Sequence, residues 1–121
     1  MKYGRKITGG RYKKFRKKKK YELRGLERKV KLSAVKQKKI RARGGNEKIV
    51  LLAGDYANVF DPKTKKSKKV KIKNVIETPS NRFLARQNIL IKSAVIETDL
   101  GKAKITNRPS QEGTINAVLV E

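Results

Sequence analysis

Cysteine and histidine are absent from this chain of 121 residues, and acidic residues are scarce. Without cysteine, neither a disulfide framework nor a thiolate metal site can form. Without histidine, the commonest general base and the commonest zinc ligand are missing. No apolar run approaches the roughly 18 residues that a membrane-spanning helix needs, and no apolar signal core follows the basic N-terminus. The expectation is a soluble intracellular protein, cytoplasmic and without membrane association. Asp and Glu number 10 against 34 Lys and Arg, a formal net charge of +24. So large an excess repels itself in a compact state unless it is spread out, held on a tail or neutralised by a polyanion.

What the sequence does hold is cation, unevenly placed. Residues 1–48 carry 21 basic and 3 acidic residues, and residues 49–121 carry 13 and 7. The first twenty contain eleven Lys or Arg and no acid, with few sizeable apolar groups. Such a segment buries too little surface to offset the entropy of ordering itself. Nucleic acid is the expected polyanion, because each phosphate met by Lys or Arg releases a counterion. Aromatic residues are interleaved with the charge at Tyr3, Tyr12, Phe15 and Tyr21, and rings of this kind stack on unpaired bases.

From Lys36 onward the pattern changes to short strands separated by turns. Ile40 and Ala42 alternate with Arg41 and Arg43, and Gly44-Gly45-Asn46 signals a turn. Ile49–Leu52 reads as a buried strand, and Tyr56–Phe60 as another. Asp61-Pro62 opens a loop carrying Lys65, Lys66, Lys68 and Lys69. In the next strand Val70, Ile72, Asn74 and Ile76 are expected to face inward. Ser80 is a candidate cap for a short helix over 81–87, with Phe83 and Leu84 inward, Arg82 and Arg86 outward and Asn88 as terminator. Strands over 94–96, 102–106 and 114–120 complete the reading. Leu23, Leu26 and Val30 have helical spacing, but Gly25 interrupts them. The expected fold is mainly β: a small β-barrel over 35–121 with one short helix, preceded by a basic, extended N-terminal arm over 1–34.

The candidate phosphate-contacting residues follow from charge. In the arm they are Lys2, Arg5, Lys6, Arg11, Lys13, Lys14, Arg16, Lys17, Lys18, Lys19, Lys20 and Arg24, with Tyr3 and Tyr12 as stacking rings. Thr8, Gly9 and Gly10 lie among them, and glycine lets backbone approach phosphate closely. In the body they are Arg41, Arg43, Lys65, Lys66, Lys68, Lys69, Arg82, Arg86 and Arg108. Catalysis finds little support. Asp55, Asp61 and Asp99 are scattered beside turn signals, where Asp is common for backbone reasons, and the serines have no histidine to activate them. Gly101-Lys102 fails as a phosphate loop, since Ile96 stands where its first Gly is required and Ala103 replaces the hydroxyl residue. No catalytic residue, metal, cofactor or small-molecule substrate is expected.

Several short stretches, in order, resemble the small-subunit ribosomal protein eight family of archaea and eukaryotes. They are Gly-Arg-Lys-Ile-Thr-Gly-Gly-Arg at 4–11, Lys-Tyr-Glu-Leu at 20–23, Arg-Ala-Arg-Gly-Gly-Asn at 41–46 and Asp-Tyr-Ala-Asn-Val at 55–59. Asp-Pro at 61–62, Pro-Ser-Asn-Arg at 79–82 and Ala-Val-Ile-Glu-Thr at 94–98 follow, then Gly-Lys-Ala at 101–103, Asn-Arg-Pro at 107–109 and Asn-Ala-Val-Leu at 116–119. The chain looks like the short archaeal form and departs from it at 24–35, where prolines are frequent in the family. The resemblance implies a β-barrel body and an arm lying in small-subunit ribosomal RNA. It also implies neighbouring ribosomal proteins as partners, and no enzymatic activity. The alternative from composition alone is a general nucleic-acid binder that compacts DNA or chaperones RNA.

Overall fold

A computed structural model describes residues 4–13 and 15–120 of the chain. Eight strands and one short helix make up the body. The strands are β1 (Lys31–Leu32), β2 (Lys36–Arg41), β3 (Glu47–Gly54), β4 (Tyr56–Asp61), β5 (Lys66–Glu77), β6 (Val95–Thr98), β7 (Gly101–Ile105) and β8 (Asn116–Leu119). The helix α1 spans Arg82–Arg86, between β5 and β6. Strands β4 to β8 form a closed barrel, and β1, β3 and β2 form a three-stranded sheet in that order.

The barrel follows from period-two patterning. Along β4, Ala57 and Val59 are buried while Tyr56, Asn58 and Phe60 are exposed. Ile96 on β6, Ala103 and Ile105 on β7 and Ala117 on β8 fill the same interior, joined by Ile72, Val75 and Leu90. Closure comes from β8 running parallel to β4, with Asn58, Val59 and Phe60 opposite Asn116, Ala117 and Val118. A closed sheet has no free edge to recruit other strands. The β7–β8 connection is shaped by Asn107, whose amide nitrogen donates to Glu112 Oε2 and to the Thr114 carbonyl, both at 2.8 Å. Its amide oxygen accepts from Asn116 N at 3.0 Å. The loop is thereby carried back onto β3, where Leu51 N donates to the carbonyls of Pro109 and Glu112.

The sheet β1-β3-β2 seals one side. Gly54 sits so close to Leu51 and Ile115 that an added Cβ would lie 2.9 and 3.1 Å from their methyl carbons. Val30 is 1 % exposed and belongs to the main core. Its carbonyl accepts from Leu90 N at 2.8 Å, and Leu32 N donates to Asn88 O at 2.9 Å, so this stretch is laced between β3 and the turn after α1.

Four expectations are corrected. Lys66, Lys68 and Lys69 do not sit in a loop but on β5, which pairs with β4 from Lys66 onward; the tight turn needs only Pro62 to Lys65, with Lys65 at φ 54°. Along β5 the inward row is Val70, Ile72 and Val75 rather than Asn74 and Ile76, because a register shift between Ile72 and Asn74 inserts one residue and reverses the alternation. The cap of α1 is Asn81, not Ser80: Asn81 Oδ1 accepts from Phe83 N at 3.0 Å. Phe83 is 62 % exposed, since so short a helix turns only one side, Leu84 and Ala85, toward the barrel. Asn88 ends the helix with φ 51°, as expected of a terminator.

Candidate nucleic-acid interface

The arm begins in a small hairpin. Lys6 N donates to Gly10 O and Gly9 N to Lys6 O, both at 2.9 Å, while Arg5 and Arg11 face each other in an antiparallel bridge. Gly9 makes the reversal possible at φ 78°, a region closed to most side chains. Arg5 Nη1 donates back to Gly9 O at 3.2 Å, and Lys6 Nζ lies 5.7 Å from the centre of the Tyr12 ring. The Gly-Arg stretch thus clusters Arg5, Lys6, Arg11 and Tyr12 around one reversal, with Thr8 and Gly10 in the turn.

Among the described residues beyond the hairpin, neither sheet nor helix forms before the 3₁₀ turn Lys20–Glu22. Arg16 grips Glu22 with both terminal nitrogens, at 2.6 and 3.0 Å, and Lys19 N donates to the same carboxylate at 3.0 Å. These contacts hold the Glu22 carboxyl below the usual glutamate range, the Arg16 guanidinium being the larger cause. Lys13, Lys17, Lys18, Lys19, Lys20 and Arg24 are exposed, as are Phe15 at 97 % and Tyr21 at 83 %. Leu23 and Leu26 are exposed too, and no helix forms over 23–30; of the three apolar residues at helical spacing only Val30 is buried. The candidates Lys2, Tyr3 and Lys14 lie outside the described residues.

The body spreads its cations over several faces. Arg41 ends β2 opposite Glu47, and Arg43 opens a 3₁₀ turn through Gly44 and Gly45, both at positive φ. On β5 the lysines divide by parity. Lys66 and Lys68 line a recess of about 320 Å³ at one barrel mouth with Asp61, Thr64, Leu100 and Leu119. Lys69 points the other way, its Nζ 5.0 Å from the centre of the Tyr56 ring. Arg82 and Arg86 flank a shallow groove with Asn74, Ile76 and Asn88. Arg108 is exposed at the base of the Asn107 loop. The exposed ring of Tyr56 was not among the candidates read from the sequence. Its signal was present in the alternation Tyr-x-Asn-x-Phe, which is opposite in parity to the buried Ala57 and Val59.

Several of the acids are employed structurally. Asp61 accepts from Lys63 N at 2.9 Å and from Thr64 Oγ1 at 2.8 Å, and these bonds hold its carboxyl below the usual aspartate range, Thr64 first. Asp99 pairs with Lys73 at 3.1 Å and Glu47 with Lys39 at 2.6 Å, both exposed pairs of small energetic weight. Among the described residues, no three Asp or Glu side chains gather where a metal ion could be held. No helix among them is long and apolar enough to cross a membrane.

The family model described as ribosomal protein S8e matches residues 1–120. Small ribosomal subunit protein eS8 of Sulfurisphaera tokodaii is 50 % identical over 118 residues, covering 97 % of this chain and 92 % of that protein. The protein of the same name from Sulfolobus acidocaldarius is 51 % identical over 118 residues, covering 96 % and 91 %. That from Methanococcus aeolicus is 48 % identical over 117 residues, with the same coverage of 96 % and 91 %. A small closed barrel with a cationic arm, matched along nearly its whole length by these archaeal relatives, belongs to the S8e family of ribosomal proteins.

Proposed function

We propose that this chain is a structural constituent of the small ribosomal subunit, rather than an enzyme, and works in the cytoplasm as part of the ribosome. Its partners are small-subunit ribosomal RNA and neighbouring small-subunit proteins. The observation that carries the reading is the arm: eleven cations and no acid within twenty residues, on a chain at +24 that matches the S8e family. The arm lies along RNA phosphates while the barrel docks on folded RNA. The body's grip on Val30 and Leu32 supports an RNA-threading segment that ends just before Val30. Lys and Arg contacts to phosphate supply affinity with little base reading, and the shape of the RNA supplies specificity.

Two measurements test this. In a sucrose gradient of native extract, the protein is expected to sediment with small subunits and to persist through moderate salt. If about eight phosphates are neutralised, log affinity for ribosomal RNA falls against log salt with a slope of roughly −6 to −7. A protein that stays at the top of the gradient or follows chromosomal DNA, binding RNA and DNA alike, is instead a general nucleic-acid binder.

A further inference from the structure

We propose that the outward face of β4 and β5 is a stacking platform for unpaired RNA bases, with Tyr56 and Phe60 as its rings and Lys69 and Lys71 as its phosphate partners. This rests on the ribosomal-RNA reading above and adds to it the kind of nucleotide that this face takes.

The face is set by the barrel itself. Ala57 and Val59 are each 1 % exposed, so strand parity sends Tyr56, Asn58 and Phe60 outward, where the two rings are 42 % and 38 % exposed. One exposed ring on a small protein is unremarkable in physical terms. Two in one row, beside a row of cations, form a pattern with a use. Cross-strand register places Lys71 opposite Tyr56, Lys69 opposite Asn58 and Ser67 opposite Phe60. On the other flank, Asn116 and Val118 of β8 stand opposite Asn58 and Phe60. This patch of eight residues contains no acid, so its charge complements a polyanion.

The spacing suits a single strand. Alternate residues along a strand repeat at about 6.8 Å, so Lys69 and Lys71 stand about one extended nucleotide apart, and the rings of Tyr56 and Phe60, with Asn58 between them, about two. Lys69 Nζ already sits 5.0 Å from the Tyr56 ring centre. A cation there is held by the ring's negative face, and it lies beside any phosphate whose base takes that face. When a base stacks on Tyr56, Lys69 exchanges the ring for the phosphate. A cleft of about 220 Å³ opens at the same end, lined by Tyr56, Asn58 and Lys69 together with the apolar Val35, Leu51 and Ile115, beside the first ring. Sheets that present aromatic rings beside basic residues bind single strands in this manner.

The test uses the full chain and two fluorescent probes, a uridine octanucleotide and an RNA duplex with the same number of phosphates. Tyr56→Leu and Phe60→Leu are each expected to weaken octanucleotide binding about fivefold to a hundredfold. Duplex binding should stay within about twofold and the salt slope should not move, because stacking releases no counterions. Tyr56→Phe, which keeps the ring, should bind as the parent does. Leu variants that keep full octanucleotide affinity, or that lose octanucleotide and duplex equally, overturn the platform. So do Leu variants that bind the octanucleotide normally but fail to enter small subunits, an outcome that gives this face to a protein neighbour. The underlying reading fails separately, if the parent chain itself shows no salt-dependent binding to ribosomal RNA.

Discussion

Arg16 and Glu22 form a two-pronged ion pair across the 3₁₀ turn of the arm, Nη2 to Oε1 at 2.6 Å and Nη1 to Oε2 at 3.0 Å. Glu22 is the first acid in the chain, and it accepts from the Lys19 amide as well. Its carboxyl is held below the ordinary glutamate range by Arg16 first and by Lys19 N second. A group whose folded pKa is depressed contributes above its unfolded value and stops contributing as pH falls through the folded one. The turn at 20–22 is therefore expected to be intact at neutral pH and to loosen only below the usual glutamate range. Carboxyl chemical shifts followed by NMR in low salt should show Glu22 titrating below the ordinary glutamate range. A midpoint within that range would show that the ion pair does not form.

Replacing Lys17, Lys18, Lys19 and Lys20 together with Gln should reduce the magnitude of the salt slope for RNA by about 3, the value for four phosphate contacts. Filter binding at four or five salt concentrations measures it. A slope that does not change would place these lysines in solvent rather than on phosphate.

Asn81→Ala is expected to cost about 1 kcal/mol of stability, the usual value of a lost N-cap, because its side chain accepts from Phe83 N. Ser80→Ala should change the urea midpoint little. The opposite ranking would return the cap to Ser80.

Thr78 is 1 % exposed, and its hydroxyl oxygen has no hydrogen-bond partner among the described residues. A buried hydroxyl left unpaired carries a desolvation penalty, and an apolar group of the same shape does not. Thr78→Val is expected to stabilise the protein by about 1 kcal/mol, read as a higher melting temperature. A lower one would mean that the hydroxyl is satisfied.

Much of the fold was legible because the barrel obeys one rule. Ala57 and Val59, Ala103 and Ile105 alternate inward with polar or basic neighbours between them, and period two names their face without further information. The rule failed where the backbone inserts a residue. Nothing in Val-Lys-Ile-Lys-Asn-Val-Ile announces the shift after Ile72, and two alternations fit the same letters. The cap was misplaced for a related reason: Ser80 and Asn81 are both good caps, and which one leads the helix is decided by the turn from Thr78. The arm was legible as charge alone. Its hairpin around Gly9 and the Arg16–Glu22 pair depend on backbone reversals that composition does not encode. Tyr56 and Phe60 were read as strand residues, and their outward face became meaningful only once β5 placed Lys69 and Lys71 across from them.

The pairing that closes the barrel joins Asn58 to Asn116, a separation of 58 residues. During synthesis at about 5–20 residues per second, β4 is made several seconds before its partner β8 exists. The core must wait for that long-range contact, and contacts of this kind are slow to form. The cationic arm waits for nothing, because almost none of it depends on the barrel. A nascent chain would therefore present its charge to the surrounding RNA while its body is still an open, incomplete sheet. The order of events built into this topology is capture first and closure afterwards.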